Sequence, residues 1–305
     1  MNTGVVVRVP GKINLQLSVG PLEKTGFHEV ATVFQAVSLF DDVIVKSGTP
    51  NTGITIKISG ENTEHIPIDQ NNLAFKAAEL MAKKYKVSAD LSIHLKKSIP
   101  VAGGMAGGSA NAAGVIVGID AIYNLGLKRD DMEKIGREIG SDVPFAISGG
   151  IAIGTGKGDQ ITPALSRGSY HWVLALSSSG LSTPAVYNEC DRLREGMSII
   201  APSVSEPLMQ ALRSGDAKEL GKSLSNDLQA AACSLRPALR LVLDVGEEYG
   251  ALGAIVSGSG PTVAFLVDNE EQGLDLAVAL TASGVVGSVA RAYGPVHGAK
   301  VIETR

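Results

Sequence analysis

Four glycines within six residues, at positions 103, 104, 107 and 108, are the feature that most constrains how this chain can fold. They stand directly before an apolar stripe with helical spacing, formed by Ala112, Val115, Ile116, Ile119 and Ile122. A loop with so few side chains lets several backbone N–H groups crowd around one anion, and the positive end of the helix dipole adds attraction. A tight turn that packs a helix onto a sheet has the same pattern, so both interpretations are open at this point.

The glycine spacing excludes two common nucleotide-binding loops. A Walker A loop requires a lysine after its last glycine, and no lysine follows Gly107 or Gly108. The dinucleotide fingerprint Gly-x-Gly-x-x-Gly is also absent, and the related string at residues 154–158 lacks its spacing and fits a hairpin turn. The sequence therefore argues against a P-loop nucleotide hydrolase and against a dehydrogenase.

Strand and helix patterns along the chain predict an α+β protein of two domains. In the first half, strands are predicted at residues 12–19, 54–58 and 91–95, and helices at 72–84, from 107 to a capping glycine at 126, and at 129–139. The second half reads as a strand at 172–176, helices over 185–249, a strand at 263–267, a helix at 270–282 and a last strand near 289–293. We place the domain boundary near residue 160.

Charge and composition exclude several kinds of partner. The formal net charge is −4 and aromatic residues make up 4% of the chain, which argues against a nucleic-acid surface. No stretch reaches the ~18 apolar residues of a membrane span, and the N-terminal residues lack the pattern of a leader peptide. We expect a cytoplasmic protein that binds neither nucleic acid nor membrane, as a monomer or a weak homodimer.

Three segments resemble the signature motifs of the GHMP kinase superfamily. They are residues 10–15 (PGKINL), residues 100–110 (PVAGGMAGGSA) and residues 256–262 (VSGSGPT). The resemblance implies an ATP-dependent kinase with an alcohol as acceptor. It also implies a two-domain α+β fold. In that fold, an ATP-binding domain over residues 1–160 carries the glycine-rich loop that opens a helix, and a ferredoxin-like domain over residues 161–305 supplies part of the acceptor wall.

The same resemblance assigns a set of residues to ATP, with Mg²⁺ carried by the nucleotide. The set comprises Asn72, Pro100, Val101, Ala102, Gly103, Gly104, Met105, Ala106, Gly107, Gly108, Ser109 and Ala110. Met105 and Ala106 replace the Leu and Gly that are common in this loop, and Ala106 fits it if its φ is negative. The Ser109 hydroxyl either approaches phosphate or Mg²⁺, or caps the N-terminus of the helix.

For catalysis, the resemblance implies that Asp142 is the base that accepts the hydroxyl proton. Lys12 and Asn14 project from the same face of a strand whose other face is apolar, so both can reach one site. A lysine beside the aspartate keeps that carboxylate ionised and stabilises negative charge that develops during transfer. A turn or capping carboxylate and a solvated lysine are the plain alternatives. We expect Pro144 to hold Val143 in an extended turn.

Further residues resemble those of the superfamily members that phosphorylate a cytidylyl alcohol in the non-mevalonate route to isoprenoid precursors. The similar segments are residues 12–15 (KINL), 26–28 (GFH), 140–145 (GSDVPF) and 183–187 (TPAVY). The acceptor residues implied are Asn14, Phe27, His28, Thr183, Pro184 and Tyr187. Two aromatic faces can sandwich a pyrimidine while the imidazole and nearby backbone groups contact its polar edge. Phe27 stands where many relatives carry Tyr, which preserves stacking and loses the phenol hydroxyl.

Two other interpretations of the motifs are open. The chain could be a GHMP kinase with a different small-molecule alcohol, since mevalonate and homoserine kinases share the glycine loop. It could also be a non-catalytic nucleotide-binding protein of the same fold, although Lys12 and Asp142 are both intact.

Overall fold

The computed structural model describes residues 4–101, 103–177 and 179–304. Its strands are β1 (Gly4–Leu22), β2 (His28–Ser47), β3 (Ile54–Ser59), β4 (Leu91–Lys96), β5 (Ile151–Thr155), β6 (Gln160–Pro163), β7 (Tyr170–Leu176), β8 (Ser225–Asn226), β9 (Gly253–Val256), β10 (Val263–Val267), β11 (Ser288–Gly294) and β12 (Lys300–Thr304). Its helices are α1 (Leu73–Tyr85), α2 (Gly107–Tyr123), α3 (Arg129–Ile139), α4 (Val143–Ser148), α5 (Thr183–Leu193), α6 (Glu206–Ser214), α7 (Ala217–Ser223), α8 (Gln229–Leu235), α9 (Ala238–Glu248) and α10 (Glu270–Ser283). This mixture confirms the predicted α+β class.

The first sheet is built around β1 and β2, which pair antiparallel along nearly their whole length. Its strand order is β12-β1-β2-β4-β3, with β5 paired to β2, β6 paired to β5 and β8 parallel to β1. The sheet thus contains β6, which ends at Pro163, and the last strand of the chain. Because β12 returns to the first sheet, the two sheets do not separate at residue 160. The division into residues 1–160 and 161–305 stays a prediction.

The second sheet has four antiparallel strands in the order β11-β7-β10-β9. Along the chain these strands are joined as strand, helices, strand, strand, helix, strand. Numbered in chain order, these four strands lie across the sheet in the order four-one-three-two, which is the ferredoxin-like order. The predicted ferredoxin-like C-terminal unit is therefore confirmed. Its strands pack against α5, α8, α9 and α10 in a core that also includes Leu17 and Val19 of β1 and Val30 of β2.

Helix α2 fixes the position of the glycine-rich loop because it is packed directly onto the first sheet. Gly114 and Gly118 allow this close approach, since a Cβ on Gly114 would lie 2.7 Å from a Val43 methyl. The helix ends at Tyr123, where Asn124 takes the left-handed conformation, so the predicted capping glycine at 126 lies two residues too far along. Among the helices in the described part of the chain, none has the length and apolar character to cross a membrane.

The polar face of β1 is buried, which the sequence does not predict. Lys12, Asn14 and Gln16 are only 7%, 2% and 5% exposed. Gln16 donates to the Ser203 carbonyl oxygen and accepts from Ser205 N, and the turn between β9 and β10 approaches Lys12 and Asn14. These polar side chains are therefore shielded from water.

Candidate active site

The glycine loop, defined as residues 100–108, is held against a second glycine-rich turn at residues 257–261, which we term the C-terminal turn. Gly104 has a φ of +77°, and a Cβ there would lie 2.4 Å from the Ser257 carbonyl oxygen. The Ser257 hydroxyl donates to the Gly104 carbonyl oxygen at 3.2 Å. Gly104 is therefore required by the contact between the two turns, independently of any ligand.

The first turn of α2 presents backbone amides without a capping side chain. Ala106 is the N-cap residue, it makes no side-chain cap bond, and the first helical hydrogen bond runs from Ala110 N to Ala106 O at 2.9 Å. The amides of residues 107–109 thus have no partner within the helix and can approach an anion. Ser109 lies inside this turn, so the capping alternative for its hydroxyl is wrong. Ala106 has a φ of +57°, contrary to the condition that we set for an alanine there.

A buried polar network supports the glycine loop from beneath. Asp41, which is fully buried, accepts hydrogen bonds from Ser98 N at 2.7 Å and Ile99 N at 2.8 Å through one oxygen. Its other oxygen accepts from Lys97 Nζ and from Asn111 Nδ2, and Lys97 also donates to Asn111 Oδ1 at 2.9 Å. The network joins β2, the start of the glycine loop and the second turn of α2.

Sequence reasoning missed this network for a physical reason. Asp41 and Lys97 each stand beside a residue of the same charge, Asp42 and Lys96, so the sequence does not tell which member of each pair is buried. Which member is buried depends on strand pairing: Asp42 lies opposite Lys96 in the sheet, and Asp41 is left facing Lys97. The SIP segment after Lys97 gives no sign of this role.

Lys12 and Asn14 form a hydrogen-bonded chain on the buried face of β1. Lys12 Nζ donates to Asn14 Oδ1 at 2.6 Å, and Asn14 Nδ2 donates to Thr32 Oγ1 at 2.7 Å. The C-terminal turn closes over them, since a Cβ on Gly258 would lie 3.2 Å from Lys12 Nζ. Burial lowers the pKa of Lys12, and the neighbouring Asp142 charge offsets part of this effect.

Asp142 stands at the N-terminus of α4 but does not act as its cap. Its carboxylate makes no capping hydrogen bond, so the plain interpretation of a capping residue is not what the structure shows. Its charge acts on Lys12 and on Tyr187, which lie on different elements. The extended turn expected at Val143 is wrong: Val143 begins α4, because Pro144 occupies the first helical turn, where the missing N–H is not needed.

The residues predicted to bind the acceptor line one cavity of about 480 Å³, which we term the aromatic pocket. Its walls comprise Leu22, Gly26, Phe27, His28, Val30, Ser141, Lys157, Thr183, Pro184, Tyr187, Asn188 and Asp191. The pocket thus joins the loop between β1 and β2, the start of α5, and the residue next to Asp142. Asn14 is the predicted acceptor residue that does not line it.

The aromatic side chains of this pocket do not form two parallel rings with a free gap between them for a base. The Tyr187 ring packs on His28, with ring centroids 5.2 Å apart and planes tilted by 32°. Phe27 is 54% exposed, and the Lys157 ammonium lies over its ring at 3.7 Å from the centroid. Burial, with a contribution from Asp142, raises the pKa of Tyr187 to about 12, so its phenol stays neutral.

His28 is more constrained than the sequence suggests. Its Nδ1 lies 2.9 Å from the Gly20 carbonyl oxygen, and its Nε2 lies 3.3 Å from Asp191 Oδ2. The side chain is only 7% exposed. With both ring nitrogens so placed, the imidazole has no free nitrogen for the predicted contact with the polar edge of a base.

Helix α5 is linked to the C-terminal turn. Thr183 Oγ1 and Ser259 Oγ share a hydrogen bond of 2.9 Å, and Pro184 follows in the first turn of the helix. Because the same turn contacts Gly104, one segment of the chain joins the aromatic pocket to the glycine loop.

Asn72 serves as the N-cap of α1. Its Oδ1 accepts from Ala74 N at 2.9 Å and its Nδ2 donates to the Pro67 carbonyl oxygen at 2.7 Å. Of the other residues assigned to ATP, Ala102 lies outside the described residues. Pro100 and Val101 line a second cavity of about 560 Å³, which is closed on its far side by Gly60, Glu61, Asn62, Leu176, Ser177, Gly287 and Ser288.

Comparison with known proteins decides the family. The description "GHMP kinases N terminal domain" matches residues 72–150, which span α1, the glycine loop, α2 and Asp142. The description "GHMP kinases C terminal" matches residues 208–286. A protein of Mycolicibacterium smegmatis named 4-diphosphocytidyl-2-C-methyl-D-erythritol kinase is 50% identical over 98% of this chain and 92% of its own length. The chain belongs to the GHMP kinase family.

Solved structures of GHMP kinases share the fold. A crystal structure of a 4-(cytidine 5'-diphospho)-2C-methyl-D-erythritol kinase superposes with a TM-score of 0.75 at 27% identity, over 94% of this chain and 98% of that one. A homoserine kinase from Cytophaga hutchinsonii superposes as well, with a TM-score of 0.76 at 18% identity, over 99% of this chain and 98% of that one. The GHMP kinase fold alone therefore does not identify the acceptor.

As a GHMP kinase, the chain uses ATP. In the part of the chain that the structure describes, no group of three or more His, Cys, Asp or Glu side chains could hold a metal ion. What the structure brings together is Lys12, Asn14 and Asp142 near the aromatic pocket, with the glycine loop joined to the same region by the C-terminal turn.

Proposed function

We propose that this GHMP kinase transfers the γ-phosphate of ATP to the 2-hydroxyl of 4-diphosphocytidyl-2-C-methyl-D-erythritol, in the non-mevalonate route to isoprenoid precursors. The observation that carries the proposal is the aromatic pocket: Phe27 and Tyr187 line the same cavity as Ser141, the residue next to Asp142. A pyrimidine held by the aromatic rings would thus place a linked alcohol near the carboxylate. The 50% identity to a relative of that name supports the same acceptor.

In the proposed reaction, the acceptor oxygen attacks the γ-phosphorus, ADP leaves, and the hydroxyl proton passes to a carboxylate oxygen of Asp142. Lys12 is held by Asn14 at 2.6 Å and shielded by the C-terminal turn, so its ammonium is pre-oriented towards the developing charge. Exclusion of water from this face strengthens that interaction.

We propose that the phosphates of ATP lie against the amides of residues 107–109 and that the base and ribose occupy the cavity beside Pro100 and Val101. Mg²⁺ carried by the nucleotide would neutralise phosphate charge, and the Ser109 hydroxyl in the first turn of α2 is the side chain we assign to it. The network around Asp41 keeps the glycine loop in place without contacting the nucleotide through its carboxylate.

The test is ADP formation by the purified protein with ATP and Mg²⁺, measured against a panel of alcohols that contains the cytidylyl acceptor, mevalonate and homoserine. We expect turnover with the cytidylyl acceptor, and inhibition by CDP that is stronger than inhibition by UDP. Faster turnover with another alcohol would show that the proposed acceptor is wrong, and the assignment as a kinase would stand. Nucleotide binding without turnover on any alcohol would favour a non-catalytic protein of the same fold.

A further inference from the structure

Lys157 lies in the aromatic pocket because the turn that carries it is held in place by hydrogen bonds to its backbone. The turn joins β5 to β6, and its two glycines at 156 and 158 have positive φ angles of 69° and 83°. Val30 N donates to the Gly156 carbonyl oxygen at 2.8 Å, and Arg137 Nε donates to the Asp159 carbonyl oxygen at 2.9 Å. The backbone of Lys157 is therefore fixed beside the start of β2, next to Phe27 and His28.

The ammonium of Lys157 lies over the ring of Phe27, 3.7 Å from the ring centroid. Among the described residues that line the pocket, Lys157 is the one lysine or arginine, and Asp191 faces His28 instead. A cation on a solvent-exposed ring is weakly held. An anion that enters the pocket can therefore draw this ammonium away from the ring.

We propose that Lys157 binds the diphosphate of the acceptor, and that it leaves the ring of Phe27 when the pyrimidine stacks there. This inference rests on the proposed function, which places a nucleoside diphosphate in this pocket. The base is then held by Phe27 and Tyr187 and the reacting hydroxyl lies near Asp142, so the diphosphate that joins them must pass through the middle of the pocket. Its two negative charges meet one mobile cation there.

The arrangement makes the diphosphate a requirement for tight binding. A nucleoside without phosphate displaces the ammonium from the ring of Phe27 when its base stacks there. The ammonium then loses its contact with the ring and gains no other partner. A nucleoside diphosphate supplies a better partner for the same ammonium, since a charge-assisted contact with phosphate is stronger than an exposed contact with a ring. Lys157 thereby favours CDP-linked alcohols over cytidine-like molecules.

The experiment measures inhibition constants of cytidine, CMP and CDP against the cytidylyl acceptor, at saturating ATP, for the wild type and three variants. Lys157→Met removes the charge and keeps the length of the side chain, and Lys157→Arg keeps the charge. Lys83→Met, on an exposed position of α1, is the matched control for loss of one surface charge. All variants are checked for an unchanged melting temperature.

We expect Lys157→Met to weaken CDP by roughly tenfold or more, the scale of one lost charge-assisted contact, and to leave cytidine unchanged or slightly tighter. Lys157→Arg and Lys83→Met should keep the wild-type order of CDP, CMP and cytidine. The inference is overturned if Lys157→Met keeps the wild-type ratio of CDP to cytidine, if Lys157→Arg loses CDP as Lys157→Met does, or if Lys83→Met has the same effect.

The result also separates this inference from the proposed function. If cytidine and CDP both compete with the acceptor but their ratio is insensitive to Lys157, only the role of Lys157 fails. If neither compete in the wild type and the cytidylyl acceptor is not phosphorylated, the proposed function fails and the inference with it.

Discussion

The glycine loop and the aromatic pocket are built from different kinds of groups. The glycine loop is shaped by backbone, with Gly104 fitted against the carbonyl of Ser257 and a fully buried carboxylate, Asp41, holding two amides at its start. The aromatic pocket is lined by side chains from several separate segments, and Phe27 is more than half exposed. The first is fixed before a ligand arrives, whereas the second has a cation lying where a ring is expected to stack.

This difference indicates how each side can change during evolution. A substitution in the glycine loop disturbs the contact between the two domains' turns, since the loop and the C-terminal turn share hydrogen bonds and close backbone contacts. A substitution at the rim of the aromatic pocket disturbs little beyond the pocket. With the proposed assignments, a change of acceptor would involve positions such as Phe27 and Lys157 and would leave the proposed ATP side unchanged.

The largest expected effect lies between the two regions, at Asp142. Asp142→Asn should lower kcat by about 10²- to 10⁴-fold, because the amide cannot accept the hydroxyl proton. ATP affinity and the melting temperature should stay close to wild type, since the carboxylate makes no capping hydrogen bond. The measurement is kcat together with the dissociation constant of ATP, and a variant that keeps most of its kcat would remove Asp142 from the role of base.

The sequence predicts local features of the fold better than contacts between distant residues. The helix after the glycines and its apolar stripe follow from local patterns and are confirmed. The ferredoxin-like order of the second half is also confirmed, but it is implied by the resemblance to GHMP kinases and not by local patterns. The burial of Lys12, the pairing of Asp41 with Lys97 and the position of Lys157 over Phe27 depend on residues far apart in the chain. No periodicity reveals such contacts, because they arise only when strands pair and turns meet.

The next effect tests whether the aromatic pocket binds a pyrimidine. Phe27→Ala and Tyr187→Ala should each weaken the cytidylyl acceptor by about 5- to 150-fold, the range of stacking on one base, with ATP affinity unchanged. Only Tyr187→Ala should also lower the melting temperature, because Tyr187 packs against the second core and Phe27 is exposed. Acceptor KM and melting curves of both variants provide the measurement.

Conservative variants serve as controls for this pair. Phe27→Tyr and Tyr187→Phe keep the rings and should have mild effects, and Phe27→Tyr restores the residue that is common in relatives. If the alanine variants bind the acceptor normally, or if CDP competes no better than UDP, the cytidine assignment fails while the kinase interpretation stands.

A smaller effect tests whether the glycines at 107 and 108 are needed for the approach of a phosphate or for packing within the protein. A Cβ on Gly107 would lie 3.1 Å from Ile99 Cγ2 and from Lys97 Nζ, whereas a Cβ on Gly108 would meet only Leu73 Cδ1, at 3.7 Å. Gly108→Ala should therefore stabilise α2 by about 0.5–1 kcal/mol, as alanine does over glycine in a helix, and yet raise the KM for ATP about tenfold.

For Gly108→Ala, stability should rise while ATP affinity falls, so a general loss of folding cannot produce the expected result. Gly107→Ala is the matched comparison, and it should lower both stability and ATP affinity because it presses on the Asp41 network. Thermal unfolding and ATP titration of both variants provide the measurement. If Gly108→Ala gains stability and keeps wild-type ATP affinity, the glycine at 108 is required neither by the helix nor by a phosphate.

The smallest effect concerns the left-handed residue that opens α2. Ala106 has φ and ψ of 57° and 32°, a conformation that costs an alanine about 1–2 kcal/mol relative to the right-handed region. Glycine removes that cost but loses about 0.4–1 kcal/mol through the greater freedom of the unfolded chain. Ala106→Gly should thus raise stability by up to about 1.6 kcal/mol, with little change in ATP affinity. Ala121→Gly, in the last turn of the same helix, is the control and should lower stability by about 0.5–1 kcal/mol. Urea unfolding of the two variants compares them directly: if both are destabilised to the same extent, the backbone at Ala106 is not left-handed in solution, and the glycine loop is less fixed than its contacts with the C-terminal turn imply.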